Sequence, residues 1–282
     1  MKKAILIGAI ALICLPLSCD KSNTCKHHAC EADGFSSLKE QLLSLNESIP
    51  QKTIEPTKAK WWAYLLTGLA DVGGFLAAGG AGSEKGKASP ISAAVAASTL
   101  VWNVTKDAGY ASSNSDPAYS IINDAQIALT QVDGEGYIHN KAILDLYEEN
   151  GDSLFFFSTE KLLPLIYEKV TIESCSSEGT YATSKEDTRI VNDVLSAYSS
   201  STTIDEYFEE LKTLSPGNDE VLDVISIIMA GFDSIDAVAN DGVYYNEVRK
   251  IVSHSAVSEE TKEIIISSLS IANASSRLWK EN

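Results

Sequence analysis

The chain has 282 residues, of which 44% are hydrophobic and 22% charged, enough length and apolar content to bury the core of one or two domains. Its formal net charge is −17, with 39 acidic residues against 22 basic ones. A surface that acidic repels phosphate backbones and anionic headgroups, which argues against nucleic acid as a partner and against docking of the folded part on acidic lipid.

The amino terminus reads as an export signal. Met1-Lys-Lys precedes the apolar run AILIGAIALICLPL, which ends in Leu15-Pro16-Leu17-Ser18-Cys19. The run is shorter than the ~20 residues a membrane-spanning helix needs. A small residue before a cysteine at the end of such a run resembles a bacterial lipobox, with Pro16 where a leucine is usual and leucines on either side. The resemblance implies acylation (palmitate among the acyl groups) at Cys19, which becomes the first mature residue. Secretion with cleavage nearby is the alternative. Removal of residues 1–18 takes Lys2 and Lys3 with it and leaves a charge of −19. Asp20 beside the cysteine looks like an inner-membrane retention signal in many bacteria. Lipoproteins of the Bacteroidota carry charged residues there and still reach the outer membrane, and the outer membrane is the preferred expectation.

The following DKSNTCKHHACEADGF is polar and reads as a flexible tether. Cys25, His27, His28 and Cys30 have the chemistry of zinc or copper ligands, but their spacing lacks the folded unit that separates ligand pairs in a zinc finger. A Cys25–Cys30 disulfide suits an oxidising envelope better, so no metal is expected. Cys175 has no neighbouring base and reads as a partly buried thiol. In Ser37–Ser48, Leu38, Leu42 and Leu45 share one face of a short amphipathic helix, after which Pro50 and Pro56 break the chain.

From Trp61 to Val104 small residues dominate. Ala70, Gly74, Ala78 and Gly82 recur every fourth position, and after a polar turn at Ser83–Lys87 a second segment opens at Ser89-Pro90 and carries Ala93, Ala94, Ala96 and Ala97. This spacing predicts a helical hairpin whose two backbones approach closely. One reading makes it membrane-active, as in bacteriocins, with Trp61, Trp62, Tyr64 and Trp102 at the interface. The other makes it a packed pair inside a helical protein. Asp71, in the middle of the first arm, would cost ~2.5–3.5 kcal/mol at the centre of a bilayer and favours the second.

Beyond Thr105 helix starts recur without sustained period-2 alternation. Asp116-Pro117 predicts a helix with Ala118, Ile122, Ala125, Leu129 and Val132 on one face; another follows Gly136, and Ser158 opens a third in which Pro164 is tolerated or kinks. Thr183 with Glu186 and Thr203 with Glu206 have capping-box spacing. Ser215-Pro216 predicts the most apolar helix, with Val221, Ile225, Ile228, Phe232 and Ile235 inward; Ser258 opens the last, leading through Ile265, Leu269 and Ala272 to Trp279. The fold class expected is all-α: a multi-helix bundle divided as signal 1–18, tether with a short helix 19–56, Gly/Ala-rich hairpin 57–110 and acidic helical domain 111–282.

Gly136-Tyr-Ile-His139-Asn140 with Ile143 and Leu144, taken with the signal and the small-residue stretch, resembles uncharacterised Bacteroidota envelope lipoproteins that share a Gly-x-x-His-Asn helix start. The resemblance implies a lineage and no reaction. Gly136, His139 and Asn140 are read as a structural motif in which His139 orders the preceding turn by hydrogen bonding to backbone. His254 reads as a loop residue. No nucleophile elbow, phosphate loop, dinucleotide fingerprint or HExxH occurs, and Gly242 cannot serve a calcium loop because Ala237 would occupy its first ligand position. The expectation is a non-enzymatic protein without cofactor, held to the membrane by its amino-terminal lipid and binding an envelope protein or glycan. A hairpin-inserting, pore-forming protein is the alternative.

Overall fold

The computed structural model describes residues 21–49, 58–79, 90–107, 122, 124–132, 134–174, 183–234 and 237–279. In chain order the helices are α1 (Lys21–Ser48), α2 (Lys58–Ala77), α3 (Pro90–Asp107), α4 (Ala125–Ala128) and α5 (Gly134–Asn150), then a 3-10 turn (Gly151–Phe156). They continue as α6 (Thr159–Glu173), α7 (Lys185–Ser200), α8 (Ile204–Leu214), α9 (Asp219–Ser234), α10 (Ala237–His254) and α11 (Glu259–Leu278). The fold is all-α. Among the described residues β pairing amounts to one antiparallel bridge between Ile122 and Trp279.

Three helices are buried around their whole circumference. Every residue is buried from Thr67 to Leu76 in α2, from Ser92 to Thr99 in α3 and from Ser267 to Ser275 in α11. A helix enclosed on all sides has no solvent face on which to place charge, so its residues must be apolar or small and internally satisfied. These stretches use Ala, Gly, Ser and Thr, which lets neighbouring backbones come close. A methyl group added at Gly74 would stand 2.6 Å from the carbonyl oxygen of Ala93, so α2 and α3 meet backbone to backbone there. At Gly136 the added methyl would collide with the backbone of Ser270, which marks the same kind of approach between α5 and α11. Two hydroxyls in this layer bond back along their own helices: Thr99 Oγ1 donates to the Val95 carbonyl at 2.7 Å, and Ser268 Oγ to that of Ile264 at 2.9 Å.

Larger side chains sit to either side. One apolar core gathers Leu38 and Leu42 of α1, Phe75 and Leu76 of α2, and the inward faces of α7 to α11. The second gathers Ile143 and Leu146 of α5, Phe155 of the 3-10 turn, Leu162 and Ile166 of α6, and Trp279. The hairpin α2–α3 contributes to both, so it lies within the bundle rather than beside it. Outer helices follow ordinary capping rules. Thr203 accepts from the Glu206 amide and Ser258 from the Thr261 amide, as their spacing predicts.

Several expected elements are corrected. Helix α1 reaches back to Lys21, through the stretch expected to be tether, consistent with the absence of Gly and Pro between Lys21 and Asp33. The helix expected over 117–132 is reduced, among the described residues, to α4; the Asp124 side chain caps it by accepting from the Ile127 amide, and Gln131 takes a positive φ of 59°. Ile122 instead pairs with Trp279. The capping box at α7 uses Ser184 and Asp187, one residue later than Thr183 and Glu186, which leaves Glu186 to pair with Arg189. Helix α9 starts at Asp219 rather than at Pro216, because Gly217 at φ 92° turns the chain first. His254 closes α10, its Nδ1 beside the Lys250 carbonyl. The signal, Cys19, the turn at Ser83–Lys87, the Asp116-Pro117 start and Cys175 lie outside the described residues, as do the side chains of Cys25, His27, His28, Cys30, Trp61, Trp62, Tyr64, Trp102 and Ile235.

Two glycine substitutions should have opposite signs. Gly74→Ala should lower stability by about 1–3 kcal/mol, because the methyl has no room against Ala93, even though alanine is the better helix former. Gly242→Ala, within α10 and with its nearest outside atom at 3.8 Å, should raise stability by about 0.5–1 kcal/mol. Urea denaturation of the two variants checks both.

Candidate functional site

The charged residues buried among those described are Asp71, His139 and Asp187, and Asp187 is accounted for by the α7 capping box. The other two meet. Asp71 lies on the stripe of α2 that also carries Gly74 and Ala78, the stripe turned toward α3 and α5. His139 lies on α5, and its Nε2 is 3.3 Å from Asp71 Oδ1, with both side chains fully buried. The contact is a charge–charge approach rather than a well-aligned hydrogen bond.

Helix α5 brings this histidine inward by the way it crosses α11. Gly136 and Asn140, one turn apart, meet Ser270 and Ala274, also one turn apart, so the two helices run parallel in register here. The Gly136 amide donates to Ser270 Oγ at 3.1 Å. Asn140 Nδ2 donates to two carbonyls, Ala128 at 2.6 Å and Ala274 at 2.8 Å, and thereby ties the end of α4 and the middle of α11 to α5. Both carbonyls can only accept, so the orientation of the amide is settled. Its oxygen faces His139 Nδ1 at 2.9 Å, and that nitrogen must donate.

The expected role of His139 is therefore reassigned. Asn140, not His139, bonds to the backbone of the preceding turn. His139 is the sixth residue of α5, not at its start, and its two nitrogens face Asn140 and Asp71. Although neighbours along a helix project in different directions, this pair bonds side chain to side chain. Gly136 is a close-approach residue against α11.

The electrostatics follow from burial and pairing. Desolvation pulls the His139 pKa down, while the adjacent Asp71 carboxylate and the hydrogen bond to Asn140 push it up, and the net direction is upward from 6.5. On the other flank of α2 the Tyr207 hydroxyl fills the notch at Gly73 and donates to the Leu69 carbonyl at 3.1 Å. Burial, with the nearby Asp71 charge, raises the pKa of that phenol, which stays protonated.

A carboxylate that orients an imidazole is half of a nucleophile-activating arrangement. Here the second half has no place to stand. Both ring nitrogens are engaged inside the protein and the ring is fully buried, so His139 can neither take a proton from an outside substrate nor ligate a metal in this conformation. Among the described residues no group of three or more His, Cys, Asp or Glu side chains is arranged to hold a metal ion. An open cleft lies elsewhere, where the end of α2 meets the start of α7 and the end of α8. It has a volume of about 570 Å³ and is lined in part by Gly79, Ser184, Arg189, Ile190, Leu214 and Pro216. Arg189 is already forked between Glu186 and Asp193.

Comparison with protein-family models, with curated protein sequences and with solved structures returns no match.

The Asn140 amide is the joint of this assembly. Asn140→Ala should cost about 2–4 kcal/mol, since two buried carbonyls and the His139 N–H lose their partner together. Asn140→Asp should cost more, because it turns an acceptor toward two acceptors. Chemical denaturation that finds Asp milder than Ala would contradict the bonding pattern.

Proposed function

We propose that the protein is a lipid-anchored, non-catalytic helical protein of the bacterial cell envelope that acts by binding an envelope protein or glycan. The observation that carries the reading is the charged and apolar leader ending in Leu17-Ser18-Cys19. The resemblance to Bacteroidota envelope lipoproteins points the same way and favours the outer membrane. The sealed environment of the Asp71–His139 pair supports a role that needs no interior chemistry, and a surface as acidic as this one supports partners other than nucleic acid.

The alternative, a hairpin that enters a bilayer, would have to draw α2 away from α11 and α5 and strip Asp71 of its histidine. No described helix is long and apolar enough to cross a membrane. The packed hairpin is therefore the better-supported reading.

Expression of the full chain with a labelled fatty acid tests the anchor. The unmodified sequence should take up label and partition with membranes, whereas Cys19→Ala should lose the label and accumulate as precursor or as released protein. Equal labelling of both would refute acylation at Cys19.

A further inference from the structure

We propose that Asp71, His139 and Asn140 form a proton-operated latch between α2 and α5, closed while a proton on His139 Nε2 faces the Asp71 carboxylate and loosened as rising pH removes it.

The geometry limits the possible states. Asn140 uses both amide hydrogens on the Ala128 and Ala274 carbonyls, so its oxygen holds a proton on His139 Nδ1. One further proton is left for the 3.3 Å contact between Nε2 and Asp71 Oδ1. With it on Nε2, imidazolium and carboxylate form a pair that is neutral overall. Without it, a carboxylate faces an imidazole lone pair in a fully buried position, and each partner repels the other. Among the described residues Asp71 then has no donor to turn to, since neither of its oxygens has a hydrogen-bond partner there.

Among the described residues the surroundings supply no substitute cation. From α8 the facing titratable group is Tyr207, which donates to the Leu69 carbonyl and stays protonated through this range. The buried polar side chains of α3 are Ser92, Ser98 and Thr99, and those of α11 are uncharged Thr, Ser and Asn. Beside His139 on α5, Lys141 turns outward to Asp145 and Glu173. The remaining buried charge among the described residues, Asp187 of α7, has the same sign as Asp71 and lies in its capping box.

The direction with pH follows from the raised value of His139. A group whose folded pKa lies above its unfolded value of about 6.5 contributes stability that is fully present below about 6.5. That contribution is lost as pH rises through the folded pKa. Over this window one proton separates the folded and unfolded chains. The slope is then a fall in Tm of about 2–3 °C per pH unit for a protein of this size. The loosened element is α2, which carries the α2–α3 hairpin with it.

Amide hydrogen exchange on the full chain between about pH 6 and 9 reads the latch directly. After correction for intrinsic base catalysis, exchange of the Thr67–Leu76 amides should speed up about tenfold per pH unit once above about 6.5. In Asp71→Asn the amide can donate to Nε2 at every pH in the range, so its corrected exchange and its Tm should be flat. ¹⁵N-imidazole NMR of the unmodified protein keeps the question open to refutation even if the variant fails to fold. It should show Nδ1 protonated throughout and Nε2 losing its proton as α2 loosens. Corrected α2 exchange that is independent of pH in the unmodified protein, a slope retained in Asp71→Asn, or a proton lost from Nδ1 would each overturn the latch.

Discussion

The close approach of helix backbones at the centre of this protein constrains the rest. Helices α2, α3 and α11 have no solvent face over two to three turns, and neighbouring helices reach them across Gly74 and Gly136 where a single methyl group would collide. Such contacts gain their stability from dispersion between many closely spaced atoms rather than from large buried side chains. Bulk is displaced outward into two flanking cores, where Leu38, Phe75, Tyr207, Phe155 and Trp279 supply the apolar area that the central layer lacks. The outer helices can then be strongly acidic, because their charges fall on faces that reach water.

The same constraint governs polar groups. Serine and threonine are tolerated in the central layer because their hydroxyls can bond to carbonyls of their own helix. A carboxylate has no such recourse, and Asp71 therefore depends on a partner from another element. His139 provides it, oriented by an amide whose own hydrogens are committed to α4 and α11. Four helices are thereby joined through three side chains. A buried ion pair of this kind adds little net stability compared with well-packed apolar residues, but breaking it from one side is costly. It specifies how the helices meet more than it strengthens their meeting. The open cleft lies away from this interior, at the end of α2 and the start of α7, and the acidic faces are on the outer helices.

Much of the fold was legible along the chain. The all-α class, the α2–α3 hairpin and the starts at Thr203 and Ser258 depend on local signals: four-residue spacing of small side chains, and a hydroxyl three residues before an amide. Errors arose where a local signal had a near-equivalent neighbour or a tertiary competitor. Ser184 displaced Thr183 as a cap by one position, Gly217 delayed α9, and Ile122 left the helical pattern to pair with Trp279. The full enclosure of α11 does not show in Ile265, Leu269 and Ala272 alone, because its buried serines find partners in different places: Ser268 on its own helix, Ser270 at the Gly136 amide of α5 and Ser275 at the Trp279 indole.

By itself the sequence determined the helical class and the small-residue hairpin, because each depends on residues within a few positions of one another. It also marked Asp71 as anomalous and singled out Gly136, His139 and Asn140. Tertiary structure alone decided that these belong to one assembly. Asp71 and His139 are separated by α3 and α4, and the carbonyl of Ala274 that completes the joint comes from the last helix. No periodicity carries information across such distances. The cost of an unpaired charge in a closed interior does, but it acts only once the helices have packed.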